Sequence, residues 1–91
     1  MEVRVRHVLS AQELVRRIRA AAERHDVEFI PGADETRGVL AKDAGFLGNV
    51  RAEYTIEPDA LVVIVSERPS FLPEETLRRM LEDELSKLVA G

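Results

Sequence analysis

The chain has no cysteine, no tryptophan and only two histidines. Without cysteine there are no disulfides, no thiolate nucleophile and no thiolate metal site. Such a composition fits a reducing compartment. His7 and His25 fall on different segments, so the i,i+3 and i,i+4 spacings of a helical metal pair are not available. Aromatic side chains are scarce: Phe29, Phe46, Tyr54 and Phe71 are all there is. That is thin for a sheet that stacks nucleic-acid bases. The longest apolar run, Ala60 to Val65, is far short of the roughly 20 residues that cross a bilayer. The opening Met1-Glu2-Val3-Arg4-Val5-Arg6 alternates charge with apolar side chains, which no signal-peptide core does. Phosphate-binding glycine motifs, a G-x-S-x-G nucleophile elbow and a calcium loop are also missing. These absences predict a soluble cytoplasmic protein with no metal, no cofactor and no catalytic residues.

What is present is enough to fold. Of the 91 residues, 45% are hydrophobic, sufficient for one core between two layers, so residues 1–91 are expected to form a single domain. The net charge of −4 is unevenly spread. Residues 1–25 carry six arginines against three acids, and residues 26–91 carry seven bases against fourteen acids. A basic first helix beside an acidic second half explains this by internal pairing. Nucleic-acid binders usually carry an overall basic excess, and this chain does not.

Glu2 to Leu9 alternates Val3, Val5 and His7 with Arg4, Arg6 and Val8, the period of a strand. Ser10-Ala11-Gln12-Glu13 reads as a capping box, with Ser10 accepting an N–H and Glu13 reaching back to Ser10. The helix that follows runs to about His25, with Leu14, Val15, Ile18, Ala21 and Ala22 on its apolar stripe. Val27 to Ile30 is a short strand stopped by Pro31-Gly32. Thr36 to Lys42 is another, in which Gly38 marks a bulge or a close approach. Val50 to Ile56 turns Val50, Ala52, Tyr54 and Ile56 to one side and Arg51, Glu53 and Thr55 to the other. Leu61 to Val65 is apolar on both faces, as in a doubly covered strand. Pro73 fits the first turn of the last helix, Ser70 is placed to help cap it, and Leu77, Leu81, Leu85 and Leu88, flanked by Met80, form its apolar face. Glu74–Arg78, Glu75–Arg79, Arg78–Glu82, Arg79–Asp83 and Asp83–Lys87 all have i,i+4 spacing. The expected fold is α+β: an antiparallel four- to five-stranded sheet with two helices on one face, in the order β-α-β-β-β-β-α.

In three features the chain resembles the polyhydroxyalkanoic acid system (granule-region) family of small bacterial proteins. These are the strand-then-helix opening, the Gly45-Phe46-Leu47-Gly48 turn that leads into Val50–Ile56 and Leu61–Val65, and the close on Phe71-Leu72-Pro73 with its leucine-bearing charged helix. The likeness covers nearly the whole chain. It implies the same fold and a link to polyester storage granules, and it implies no catalytic residues.

Apolar groups in two loops are the unusual feature. Phe46 and Leu47 sit at a turn, and Phe71 and Leu72 just before a helix. They are the candidate binding residues, for a protein or granule surface. The bland alternative is that they fold back as plugs, Phe71 as a staple on the last helix. The function expected is a non-catalytic association module, most simply a homodimer that uses the open sheet face, a sheet edge, or both. The alternative is a small-ligand-binding or enzyme-like domain with a pocket between sheet and helices.

Overall fold

The computed structural model describes every residue except Ala44, Phe46, Leu47 and Gly91. The alternation of Glu2–Arg6 makes strand β1, with Val3 buried and Glu2, Arg4 and Arg6 exposed. Helix α1 (Ala11–Arg24) follows, then β2 (Glu28–Pro31), β3 (Arg37–Asp43), β4 (Asn49–Ile56), β5 (Ala60–Glu67) and helix α2 (Glu74–Val89). The fold is α+β in the expected order. One five-stranded sheet has the spatial order β1-β5-β4-β3-β2. Every neighbouring pair is antiparallel. Strands β2 to β5 form a meander, and β1 adds to its far side. Helix α1 therefore carries the chain from one edge of the sheet to the other.

Both helices lie on one face. Leu14 and Ile18 of α1, with Leu77 and Leu85 of α2, form one buried cluster with Val3, Ala52, Tyr54, Ile56, Leu61, Val63 and Val65 of the sheet. Leu81 and Leu88 are half-buried against it and Met80 is exposed. The side chains of β4 and β5 that face the helices are those the period of two selects. Gly38 is a close approach and not a bulge. A Cβ there would run into the Tyr54 ring, whose hydroxyl end fills the space. Tyr54 in turn stacks on Phe29 at 6.1 Å between centroids, and the Arg19 guanidinium covers Phe29 at 4.8 Å. This arrangement closes the β2 side of the core with a cation on its outer surface.

The helix ends depart from the sequence reading in three ways. First, the Ser10 Oγ accepts the Glu13 N–H at 3.1 Å as expected, but the Glu13 carboxylate does not return to Ser10. It accepts from Arg16 at 2.6 Å and Arg17 at 3.0 Å instead. Three charge-assisted bonds from two guanidinium groups outweigh one bond to a neutral N–H. Second, Pro73 is the residue before α2, in extended conformation, and no side chain caps that end. Ser70 lies within the turn in which the Leu72 N–H donates to the Pro69 carbonyl at 3.1 Å. Third, none of the five i,i+4 pairs forms an ion pair among the described residues. Arg78 donates to the Glu2 carbonyl at 2.8 Å, and Lys87 lies 3.9 Å from Glu84. Exposed pairs gain only tenths of a kcal/mol, too little to hold long side chains in place.

Helix α1 closes with a six-to-one bond. The Val27 N–H donates to the Ala22 carbonyl at 2.7 Å, and Asp26 adopts φ 56°. This is the Schellman arrangement, with Asp where glycine is usual. The Arg17 guanidinium donates to the Leu88 carbonyl at 3.0 Å, so it satisfies a last-turn acceptor of α2 and ties the helices together.

Candidate functional site

The face of the sheet away from the helices carries an ordered pattern. The cross-strand register lines up Glu2, Ile64, Glu53, Val39 and Ile30 in one row over all five strands. The adjacent row holds Arg4, Val62, Thr55 and Arg37. One row is thus acidic and apolar, and the next is basic and apolar. Ile64 is 42% exposed, the one large apolar strand side chain so open among the described residues. Val62, one row along the same strand, is 5% exposed, with Arg4 and Thr55 beside it. Sequence alternation already put Arg51, Glu53 and Thr55 on this face. It did not reveal Glu2, Arg4, Arg37 and Val39 as members of the same surface, because that requires the register. The signal available was the alternation in Arg37-Gly38-Val39-Leu40 and in Glu2-Val3-Arg4-Val5.

Arg4 is paired with Glu57. The two form an ion pair at 2.7 Å, and the hydrogen bond raises the Arg4 pKa further. Arg37 and Glu53 form no ion pair among the described residues.

The two edges of the sheet are guarded. On β1 the carbonyl of Glu2 points outward and accepts from Arg78 of α2. On β2 the edge ends at Pro31, which has no N–H to offer a further strand. Both devices disfavour strand addition, so the open face is the accessible apolar surface of the sheet.

The residues singled out from the sequence fall elsewhere. Phe46 and Leu47 lie outside the described residues. Phe71 is 63% exposed in the connection between β5 and α2, and it does not fold back as a staple. Leu72, its neighbour, is half-buried and packs against the core. The Arg68 guanidinium donates to the Leu72 carbonyl at 2.5 Å and closes this connection. The structure therefore separates the pair, one inward and one outward, and neither lies on a strand.

His7 is buried and fully engaged. The Leu9 N–H donates to its Nδ1 at 3.1 Å, which leaves Nε2 as the donor to the Glu57 carbonyl at 2.8 Å. It joins the end of β1 to the β4–β5 turn. His25 follows the last residue of α1, 3.5 Å from Glu84. The arginines of α1 do not form a free basic stripe: Arg16 and Arg17 share Glu13, and Arg19 covers Phe29.

Between sheet and helices lies the buried cluster of leucine, isoleucine, valine, alanine and tyrosine side chains already named. An open cleft of about 570 Å³ lies at the β2–β3–β4 end of the sheet, lined in part by Asp26, Glu28, Lys42, Asp43, Arg51 and Glu67. Its charges are mixed in sign. No three acids or histidines among the described residues are placed to share a metal ion. No helix among the described residues is long and apolar enough to cross a membrane. Comparison with family models, with curated proteins and with solved structures returns no match.

Proposed function

We propose that this chain is a non-catalytic association module whose working surface is the open face of the sheet. One observation carries the reading. A strand apolar on both sides, Leu61–Val65, keeps Ile64 exposed on that face beside the central strand, where a water-facing sheet would place a polar side chain. Ile64 is flanked by Glu2 and Glu53 in its own row and faces an arginine-bearing row beside it. An apolar centre with charged surroundings is the anatomy of a protein–protein contact. The guarded edges support the same surface, since they leave the face as the route of approach. Phe71 is a secondary contact in this proposal, because it is the most exposed of the large aromatic side chains described. A cytoplasmic setting rests on the cysteine-free composition. A link to polyhydroxyalkanoate storage rests on the family resemblance of the Gly45–Gly48 turn and the Phe71-Leu72-Pro73 close.

The test is capture from a bacterial extract on the immobilised chain, with Ile64→Lys as the control bait. Proteins held by the native chain, this chain itself among them, should be released by the substitution. Equal retention by both baits would remove the open face from consideration.

A further inference from the structure

The two charged rows do more than mark a contact surface; they specify what fits it. We infer that the partner on this face is a second copy of the chain, packed face to face about a two-fold axis that runs across the strands between the two rows. The inference rests on the open face being the working surface.

The axis follows from the pattern. Turning one sheet over about a line across the strands leaves every side chain in its own column and exchanges the two rows. Glu2 then faces Arg4 of the second copy, which also holds its own Glu57, Ile64 lies over the largely covered Val62 between Arg4 and Thr55, and Glu53 faces Thr55 with Arg37 one strand away. Each contact occurs twice, as a two-fold interface requires. An axis along the strands would do the opposite. It would keep each row against itself and set Glu53, on the central strand β4, directly against its own copy. Like charges placed opposite each other repel, and opposite ones select a register. Aligned sheets cross at about 30°, an offset that long Arg and Glu side chains can span.

A generic apolar or polyester surface would make no use of one acidic row beside one basic row, whereas a second copy uses both.

Sedimentation equilibrium of the purified full chain at micromolar concentration is the first measurement. The native chain should sediment at twice its chain mass and Ile64→Lys at the chain mass, with unchanged circular dichroism. Ile64 is exposed enough to accept lysine, and Glu53→Arg provides a second variant that alters only an exposed charge. The second measurement fixes the axis and exploits the cysteine-free sequence. Glu53→Cys and Thr55→Cys chains are mixed and oxidised. The mixed disulfide should exceed either homodisulfide by several fold. A predominance of the Glu53→Cys homodisulfide would place the axis along the strands and overturn this arrangement. A native chain at single-chain mass, or an Ile64→Lys chain at double mass, would overturn the second copy as partner. If the native chain is a single-mass species whose capture from extract is still lost in Ile64→Lys, the association reading stands and only this inference fails.

Discussion

Gly38 and Tyr54 show how one residue can set a boundary of the core. Phe29, Tyr54 and Leu40 close the β2 side, and the absence of a Cβ at Gly38 is what lets the Tyr54 ring lie across β3. Burial pushes the Tyr54 hydroxyl above its ordinary pKa, with the Arg19 charge acting against it, so it remains a neutral phenol through the physiological range. The sequence pointed to Gly38 as a bulge or a close approach, and the glycine alone could not say which, because the ring that needs the space comes from a different strand. Gly38→Ala should destabilise the chain by about 1–3 kcal/mol, the usual cost of forcing extra volume into a packed site. Urea denaturation would measure it. In a Tyr54→Ala background the same change should cost little, since the clash is gone. An equal cost in both backgrounds would mean that backbone conformation, not the ring, demands glycine.

At the scale of elements, most of the fold could be read because each segment carries its own period. Val50–Ile56 alternates cleanly and β4 spans it, while the leucines of α2 recur every three or four residues and two of them, Leu77 and Leu85, are buried. What could not be read is where the long charged side chains go. Glu13 illustrates this: its position three residues after Ser10 suits a capping box, but Arg16 and Arg17 at one turn's distance capture it. The pairing has a consequence for acid stability. Hydrogen bonds from Arg16 and then Arg17 lower the Glu13 pKa from its ordinary 4.5 to about 2. A carboxyl with a depressed folded pKa contributes stability above its unfolded value and loses it as pH falls through the folded one. The contribution should therefore be complete above about pH 4.5 and vanish towards pH 2. Thermal denaturation of the native chain and Glu13→Gln would show this as a difference in Tm at neutral pH that closes over that window. A difference that stays constant down to pH 2 would mean that Glu13 acts through packing and not through charge.

The whole molecule adds what no segment contains, namely the order in which strands lie side by side. The meander of β2 to β5 follows from short connections, but the sequence does not say that β1 joins at β5 and leaves β2 and β1 as opposite edges. The same register assembles Glu2, Glu53, Arg4 and Arg37 into two rows from three separate strands, which is why the loop residues Phe46, Leu47, Phe71 and Leu72 stood out in the sequence and the open face did not. If two copies meet there, folding and association are linked, and stability must depend on concentration. The Tm of the native chain should rise with total protein concentration, and that of Ile64→Lys should not. Salt gives the sharper discrimination. Acid-to-base contacts between exposed rows are screened once the Debye length falls below the separation of the charges. Adding sodium chloride should therefore flatten the concentration dependence of the native Tm, although the burial of Ile64 keeps part of it. A concentration dependence that persists unchanged in molar salt would assign the interface to apolar burial alone and leave the two charged rows without a part in it. A native Tm that does not move with concentration at low salt would remove the dimer altogether.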